Sequence, residues 1–217
     1  MFVKICCIGS TGEAEMALGA GADALGLVSA MPSGPGVIDE ALIRQISRFL
    51  SGVSAGVLKV LLTRETRLAN VVDQVRYCET NAVQLVDFFA DSYRTLKRRL
   101  GGAAVIQVVH VENDDGVARA VEVSAEVDMV LLDSGRPGAT VAELGGTGRV
   151  HDWMLSKQIV AEAQCPVILA GGLHPRNVES AKRRVTPYGL DVCSGVRTDG
   201  ILDPVQLQRF MSVAKGV

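Results

Sequence analysis

The sequence contains few aromatic residues, since Phe, Trp and Tyr together make up only 4% of its 217 residues. The core must therefore be built from aliphatic side chains, and hydrophobic residues make up 48% of the chain. Strands rich in Val, Ile and Leu are typical of parallel sheets that are covered on both faces. The composition favours an α/β fold over an all-β sandwich.

The chain also lacks an excess of charge, with a formal net charge of −2 and a pI near 5.9. Domains that bind nucleic acid are usually basic, so we expect no nucleic-acid partner. No apolar run approaches the ~18 residues that span a bilayer, and the N-terminus lacks the order of a signal peptide. We therefore expect a cytoplasmic protein with no membrane partner.

Cysteine is present in an odd number and without a C-x-x-C pair; the five positions are Cys6, Cys7, Cys78, Cys165 and Cys193. A reducing cytosol would keep these side chains as thiols. The sequence therefore predicts neither a disulfide framework nor a zinc site.

Short apolar runs alternate with helical patterns eight times along the chain. The runs cover residues 2–8, 23–28, 57–63, 82–86, 103–111, 127–133, 166–172 and 189–195. This alternation implies parallel strands joined by right-handed crossovers, in an open doubly wound sheet or a closed barrel. Eight units with no leftover element favour a single (β/α)8 TIM barrel domain over residues 1–217, with its active site at the C-terminal strand ends.

Glycine-bearing turns follow the last two predicted strands, in LAGGLHP and DVCSGVR. Loops at these two places often build a phosphate site in such barrels, because glycine lets backbone N–H groups approach the anion. Gly171, Gly172 and Gly195 could instead serve only to make tight turns. We favour phosphate binding, and therefore a small phosphorylated ligand.

Two strand ends carry side chains suited to acid–base chemistry. Asp133 ends a wholly apolar strand, where partial desolvation would raise its pKa towards the range of a general acid, although an Asp there could also cap a turn. Cys6 could act as a base or nucleophile if a positive group lowers the pKa of its thiol. Side chains alternate along a strand, so regular geometry lets only one of Cys6 and Cys7 point inward, and the pattern does not decide which.

The segment 139–153 is long for a βα loop and predicts a mobile lid over the substrate. Gly146 and its neighbouring glycines supply conformational freedom, and Thr147 and Arg149 could contact an anion. A plain flexible loop is the alternative.

Seven motifs together resemble one enzyme family. They are KIC at 4–6, GADALGLV at 21–28, NAVQL at 81–85, LLD at 131–133, GGTG with DW in 145–153, AGGLHPRNV at 170–178 and GLDVCSGV at 189–196. In this order and spacing they are similar to phosphoribosylanthranilate isomerase, a single (β/α)8 barrel of tryptophan biosynthesis. The resemblance covers the chain nearly from end to end.

The resemblance implies an aldose–ketose type isomerase that performs an Amadori rearrangement without cofactor or metal. By motif match, Cys6 would be the base, Asp133 the acid that opens the ribose ring, and Asp191 a contact to the ribose or the amine. The lid match brings Gly146 and Thr147 to the substrate. The positions that match the phosphate-binding turns are Gly171, Gly172, Ser194 and Gly195.

The chain departs from the family pattern where the anthranilate group is expected to bind. Cys7 stands where the family has glycine, and Gly36 stands where it has an arginine that clamps the anthranilate carboxylate. A histidine is replaced by Val86 and an acidic residue by Arg197. Arg136 could supply a new carboxylate contact, because it lies three residues after the predicted acid.

Three functions therefore remain open. The first is a phosphoribosylanthranilate isomerase with a rebuilt anthranilate pocket. The second is a paralogue that acts on another phosphorylated ribosylamine or sugar phosphate, and the third is a non-catalytic barrel that binds a phosphorylated ligand. In each case we expect a small phosphorylated partner and a monomer or homodimer.

Overall fold

The protein is described by a computed structural model that covers residues 1–32, 34–111, 113–133 and 153–216. Eight parallel strands pair in sequence order and close when β8 pairs with β1, which confirms the predicted barrel. The strands are β1 (Phe2–Ile5), β2 (Ala24–Val28), β3 (Leu58–Thr63), β4 (Ala82–Leu85), β5 (Ala104–His110), β6 (Met129–Asp133), β7 (Val167–Leu169) and β8 (Gly189–Val192).

A helix follows each strand and covers the outside of the barrel. The helices are α1 (Thr11–Gly19), α2 (Glu40–Val53), α3 (Leu68–Cys78), α4 (Tyr93–Leu100), α5 (Asp114–Ser124), α6 (Trp153–Glu162), α7 (Val178–Val185) and α8 (Pro204–Lys215). Several begin at a side chain that accepts a hydrogen bond from the first turn, as Ser10, Asp39 and Asn113 do. Within the described ranges, no helix combines the length and the apolar character needed to cross a bilayer.

The core has two layers, as expected for this architecture. The larger layer lies between the strands and the helices and is mainly aliphatic. The smaller layer fills the barrel and includes Val60, Ile106 and Leu131. Near β1 and β8 this inner layer becomes polar, because Lys4 and Asp191 are both buried there.

A small hairpin after β8 was not predicted. A 3₁₀ turn at Ser194–Val196 leads into β9 (Arg197–Thr198), which pairs antiparallel with β10 (Ile201–Leu202). The connecting Asp199 and Gly200 have φ values of 52° and 79°. An Asp-Gly pair is the sequence that two-residue hairpin turns with two positive φ values prefer, so TDG at 198–200 was the available signal.

Candidate active site

One cavity opens at the C-terminal ends of the barrel strands and collects most of the residues singled out from the sequence. The predicted site residues that line it are Cys6, Asp133, Gly171, Gly172, Asp191 and Ser194. They come from β1, β6, β7, β8 and the turns that follow them. The barrel topology therefore brings a thiol, a carboxyl group and glycine-bearing turns to the same cavity.

The predicted lid lies outside the described residues. Arg136, Gly146 and Thr147 all fall within 134–152. Their contribution to the site stays a prediction from the sequence.

Both cysteines after β1 line the cavity, which differs from the alternation expected for a regular strand. Strand β1 ends at Ile5, and Cys7 has a φ of 64° in the left-handed region. The backbone therefore leaves the extended conformation between the two residues, and alternation no longer applies. Gly26 on β2 leaves space for the Cys6 side chain, because a Cβ atom at position 26 would lie only 2.8 Å from the Cys6 Sγ atom.

A buried ion pair lies at the base of the cavity. The Nζ atom of Lys4 donates a hydrogen bond of 2.8 Å to Oδ1 of Asp191, and the Lys4 side chain has no exposed surface. Burial would lower the pKa of Lys4, but the Asp191 carboxylate and the Cys6 thiolate outweigh this effect and raise the pKa. Lys4 is therefore a fixed positive charge, and sequence reasoning did not identify it as functional.

The neighbours of Cys6 favour its thiolate form. A hydrogen bond with the Cys7 thiol has the largest effect and lowers the pKa of Cys6. Burial and the Asp191 carboxylate oppose this shift, whereas the Lys4 ammonium supports it. Hydrogen bonds with Cys193 and Cys6, together with burial, raise the pKa of Cys7 well above its ordinary value. These shifts favour the thiolate form at Cys6 and the thiol form at Cys7.

Asp133 is the last residue of β6 and is 8% exposed. In the closed barrel, β7 and β8 separate its strand from β1. Because Asp133 and Cys6 line the same cavity from different strands, a bound molecule can contact a carboxyl group on one side and a thiol on the other.

The turns after β7 and β8 pack tightly against each other. Gly171 and Gly172 have φ values of 83° and 64°, which side-chain-bearing residues rarely adopt. A Cβ atom at Gly195 would overlap the Leu173 carbonyl oxygen. Asn177, which sequence reasoning missed, holds the first turn by donating a hydrogen bond of 2.9 Å to the Gly172 carbonyl. The glycines are therefore needed for the conformation and the packing of these turns.

Two departures from the family pattern are physically coupled. Gly36 has a φ of 74°, and a Cβ atom there would overlap the Cys7 Cβ atom and lie 2.9 Å from the Cys7 Cα atom. Position 36 can therefore carry no side chain while Cys7 occupies this place. The glycine at 36 and the cysteine at 7 are therefore sterically coupled.

The rest of the cavity wall is mainly apolar. Val28, Met31, Leu62 and Val86 line it, and none of the described lining residues is Lys or Arg. Gln84 also lines it and was missed from the sequence; within the described part of the chain its Oε1 atom is buried without a hydrogen-bond partner. Among the residues that the structure describes, no group of three or more His, Cys, Asp or Glu side chains could hold a metal ion.

Comparison with known proteins gives a consistent result. A family model described as N-(5'-phosphoribosyl)anthranilate (PRA) isomerase matches residues 3–213. The N-(5'-phosphoribosyl)anthranilate isomerase of Methanosarcina acetivorans is 35% identical over 227 residues, which cover 96% of this chain and 91% of that protein. The enzyme of the same name from Methanothrix thermoacetophila is 37% identical, and the match covers 96% of this chain and 95% of that protein.

Solved structures agree with these sequence matches. Phosphoribosyl anthranilate isomerase from Thermotoga maritima superposes with a TM-score of 0.82 at 30% identity and covers 100% of both chains. A phosphoribosyl anthranilate isomerase in complex with reduced 1-(o-carboxyphenylamino)-1-deoxyribulose 5-phosphate gives a TM-score of 0.78 at 29% identity, again over 100% of both chains.

Proposed function

The chain belongs to the N-(5'-phosphoribosyl)anthranilate isomerase family, and we propose that it performs this isomerisation with Cys6 as the base and Asp133 as the acid. The observation that carries the assignment of roles is the shared cavity, which Cys6 and Asp133 line from different strands. The Lys4 ammonium supports the role of Cys6, because it favours the thiolate.

The proposed reaction begins at the ribose ring. Asp133 donates its proton to the ring oxygen, the bond between C1 and that oxygen breaks, and the nitrogen lone pair forms a C1–N double bond. The Cys6 thiolate then takes the proton from C2, the electron pair of that C–H bond forms a C1–C2 double bond, and the π pair of the C1–N double bond returns to the nitrogen. The resulting enolamine tautomerises to the 2-ketone, with a proton added at C1. Proton transfer by positioned groups of this kind contributes about 10²- to 10⁴-fold each to the rate.

The remaining predicted residues would bind the substrate. We assign the phosphate to the packed turns that contain Gly171, Gly172, Ser194 and Gly195, because the first three of these residues line the cavity and glycine lets backbone N–H groups approach an anion. Asp191 would contact the ribose or the amine with the oxygen that Lys4 does not occupy. Gly146, Thr147 and Arg136 remain predicted substrate contacts, and Arg136 is our candidate for the carboxylate of the anthranilate group.

A second candidate function is isomerisation of a phosphoribosylamine with a different N-substituent. The observation in its favour is the cavity wall, whose described residues include no cation to bind a carboxylate. An aromatic group without a carboxylate would suit the apolar side chains of Val28, Met31 and Leu62. This candidate uses the same acid, base and phosphate turns.

Turnover of two substrates distinguishes these functions. The purified protein is mixed with freshly generated phosphoribosylanthranilate or with phosphoribosylaniline, which lacks the carboxylate, and consumption is followed over time. Asp133→Asn tests the chemistry, and Asp73→Asn, an exposed position on α3, is the matched control. Preference for the anthranilate substrate supports the first function, preference for the aniline supports the second, and no turnover of either overturns both.

We also propose that the protein acts in the cytoplasm, as one domain and as a monomer or homodimer. A Thermotoga maritima relative is described as a dimeric enzyme that has been converted to monomers, so both states are compatible with this fold. Light scattering coupled to size-exclusion chromatography measures the state directly, and a larger assembly would contradict the proposal.

A further inference from the structure

The loop after β1 depends on an unusual backbone conformation. Cys7 has a φ of 64°, and left-handed geometry of this kind is unfavourable for a residue that carries a Cβ atom. Such conformations persist when the surrounding structure holds them in place. The conformation of Cys7 also sets where the chain leaves Cys6, because the two residues are adjacent.

Arg197 holds this loop from the hairpin after β8. One guanidinium nitrogen, Nη2, donates a hydrogen bond of 2.5 Å to the Cys7 carbonyl and a longer one of 3.4 Å to the Cys6 carbonyl. The Arg197 side chain is only 8% exposed. Both carbonyls of the two-cysteine segment are therefore bound by one rigid, largely buried group.

Glu13 on α1 fixes the orientation of that guanidinium. Its two carboxylate oxygens accept from Nη1 and Nη2 of Arg197 at 2.8 and 3.0 Å. The same carboxylate accepts from the backbone N–H groups of Gly9 at 3.0 Å and Leu202 at 3.1 Å. A paired, forked contact of this kind is stronger and more directional than a single hydrogen bond. Glu13 and Arg197 thus join three segments: the loop after β1, helix α1 and the hairpin.

We propose that Arg197 is a positioning residue, which holds Cys7 in the left-handed conformation and thereby places the Cys6 thiol at the cavity. The inference rests on the proposed function, since it assigns a role in the same reaction. Arg197 does not contact the reacting atoms in this account. It acts through the backbone carbonyl of Cys7, with Glu13 as its support.

Arg197 also lies two residues after Gly195, the last residue that we assign to the phosphate turns. A purely local effect of Arg197 on those turns would weaken substrate binding and raise KM. An effect on the loop after β1 would misplace the thiol and lower kcat. The two roles therefore predict different kinetic changes.

The first test replaces Arg197 by Gln. We expect kcat to fall about 10- to 100-fold, the scale for misplacing a catalytic group by about 1 Å, with KM changed by less than about threefold. The control is Arg44→Gln, which removes another ion pair to a glutamate, on the outside of the barrel at 2.9 Å, and should leave kcat unchanged. A rise in KM with kcat retained would assign Arg197 to the phosphate turns and overturn the proposal.

The second test uses the conformational freedom of glycine. Glycine adopts positive φ at little cost, so in the Arg197→Gln background Cys7→Gly should give a higher kcat than Cys7→Ala. Both substitutions remove the Cys7 thiol equally. With Gln at position 197, we expect the kcat of the Cys7→Gly variant to exceed that of the Cys7→Ala variant by about fivefold or more. With Arg197 present, the two kcat values should agree within about twofold. Equal ratios in the two backgrounds would overturn the proposal.

Two precautions keep the tests decisive. All kcat values are calculated per folded protein, and thermal melting measures how much of each variant is folded. If Arg197→Gln does not fold, Glu13→Gln replaces it in both tests. Glu13→Gln weakens the support of Arg197, so we expect a smaller fall in kcat, and again a higher kcat with Cys7→Gly than with Cys7→Ala. Absence of turnover in the unsubstituted protein would contradict the proposed function itself, whereas normal turnover in Arg197→Gln would contradict only this inference.

Discussion

Lys4 and Asp191 face each other in the register between β1 and β8, and their side chains are joined at 2.8 Å although 187 positions separate them in the sequence. The ammonium also acts on the Cys6 thiol, which lies two residues along the chain. The pair therefore supplies a fixed positive charge next to the proposed base, and a negative charge that keeps Lys4 protonated.

We predict that Lys4→Met moves the pH dependence of kcat/KM to higher pH. A thiolate base works above its pKa, so activity rises as pH passes through that value. The Cys6 pKa is lowered in the protein from the ordinary value of about 8.5. Removing the ammonium raises the pKa again and leaves Asp191 unneutralised beside the thiol.

The measurement is a pH profile for Lys4→Met and for Lys4→Met/Asp191→Asn. The single variant should also lose about 3–5 kcal/mol of stability, because it leaves a buried charge unpaired, and the double variant should recover part of this loss. An unchanged pH profile in the single variant would mean that Lys4 does not control the thiol.

Gly36 and Cys7 should show a strong interaction in stability measurements. Gly36→Ala places a Cβ atom into the Cys7 side chain and should cost about 1–3 kcal/mol by overpacking, in addition to the cost of its positive φ. In a Cys7→Gly background the overlap with the Cβ atom of residue 7 is removed and the 2.9 Å approach to its Cα atom remains, so the cost should be smaller. Urea unfolding of the two single variants and the double variant gives the coupling, and strictly additive changes would contradict the proposed contact.

The same pair offers a way to change substrate preference. We expect Cys7→Gly/Gly36→Arg to bind phosphoribosylanthranilate more tightly. The first substitution removes the overlap with the Cβ atom of residue 7, and a small shift of the loop would relieve the remaining 2.9 Å approach to its Cα atom, so that a guanidinium at position 36 can pair with the carboxylate. A charged hydrogen bond of this kind contributes about 1.5–3 kcal/mol, or about tenfold or more in KM. Gly36→Arg alone, with Cys7 in place, is the control and should destabilise the protein. Equal KM values for the double variant and the original protein would show that position 36 does not reach the carboxylate.

Glu13 should make the protein sensitive to acid. Burial raises the pKa of its carboxyl group, but hydrogen bonds from Arg197, Gly9 and Leu202 outweigh burial and lower it below the ordinary value. A lowered folded-state pKa contributes stability that is present above the unfolded pKa and is lost as pH falls through the folded value. Glu13→Gln should therefore show a smaller fall in Tm than the original protein between about pH 5 and pH 3. Parallel Tm curves would contradict the assignment.

Much of this architecture is predictable from the sequence, because its strands are short, apolar and evenly spaced. Asp133 and Cys6 were identified for a simple reason: the C-terminal ends of parallel barrel strands share one face of the barrel. The glycine turns at 171–172 and 195 were found for the same reason. The placement of these residues around one cavity therefore follows from the order of the elements.

Other features depend on contacts that no local pattern contains. Lys4 resembles an ordinary strand residue until closure of the barrel places Asp191 opposite it. Cys7 adopts a left-handed conformation, and its carbonyl accepts a hydrogen bond from Arg197, which is 190 positions away. The hairpin at 197–202 has a local signal in Asp199 and Gly200, but each of its strands is only two residues long and shows no periodic pattern. The coupling of Gly36 to Cys7 appears only when the two loops are built side by side.

The most direct test of the central claim is a single-turnover measurement of phosphoribosylanthranilate consumption by the protein and by Cys6→Ser, Asp133→Asn and Cys165→Ser. The account predicts a fall of about 100-fold or more for each of the first two variants, with substrate still bound, and no change for Cys165→Ser, since Cys165 does not line the cavity. Consumption at a near-normal rate by Cys6→Ser or Asp133→Asn would contradict the assignment of base and acid.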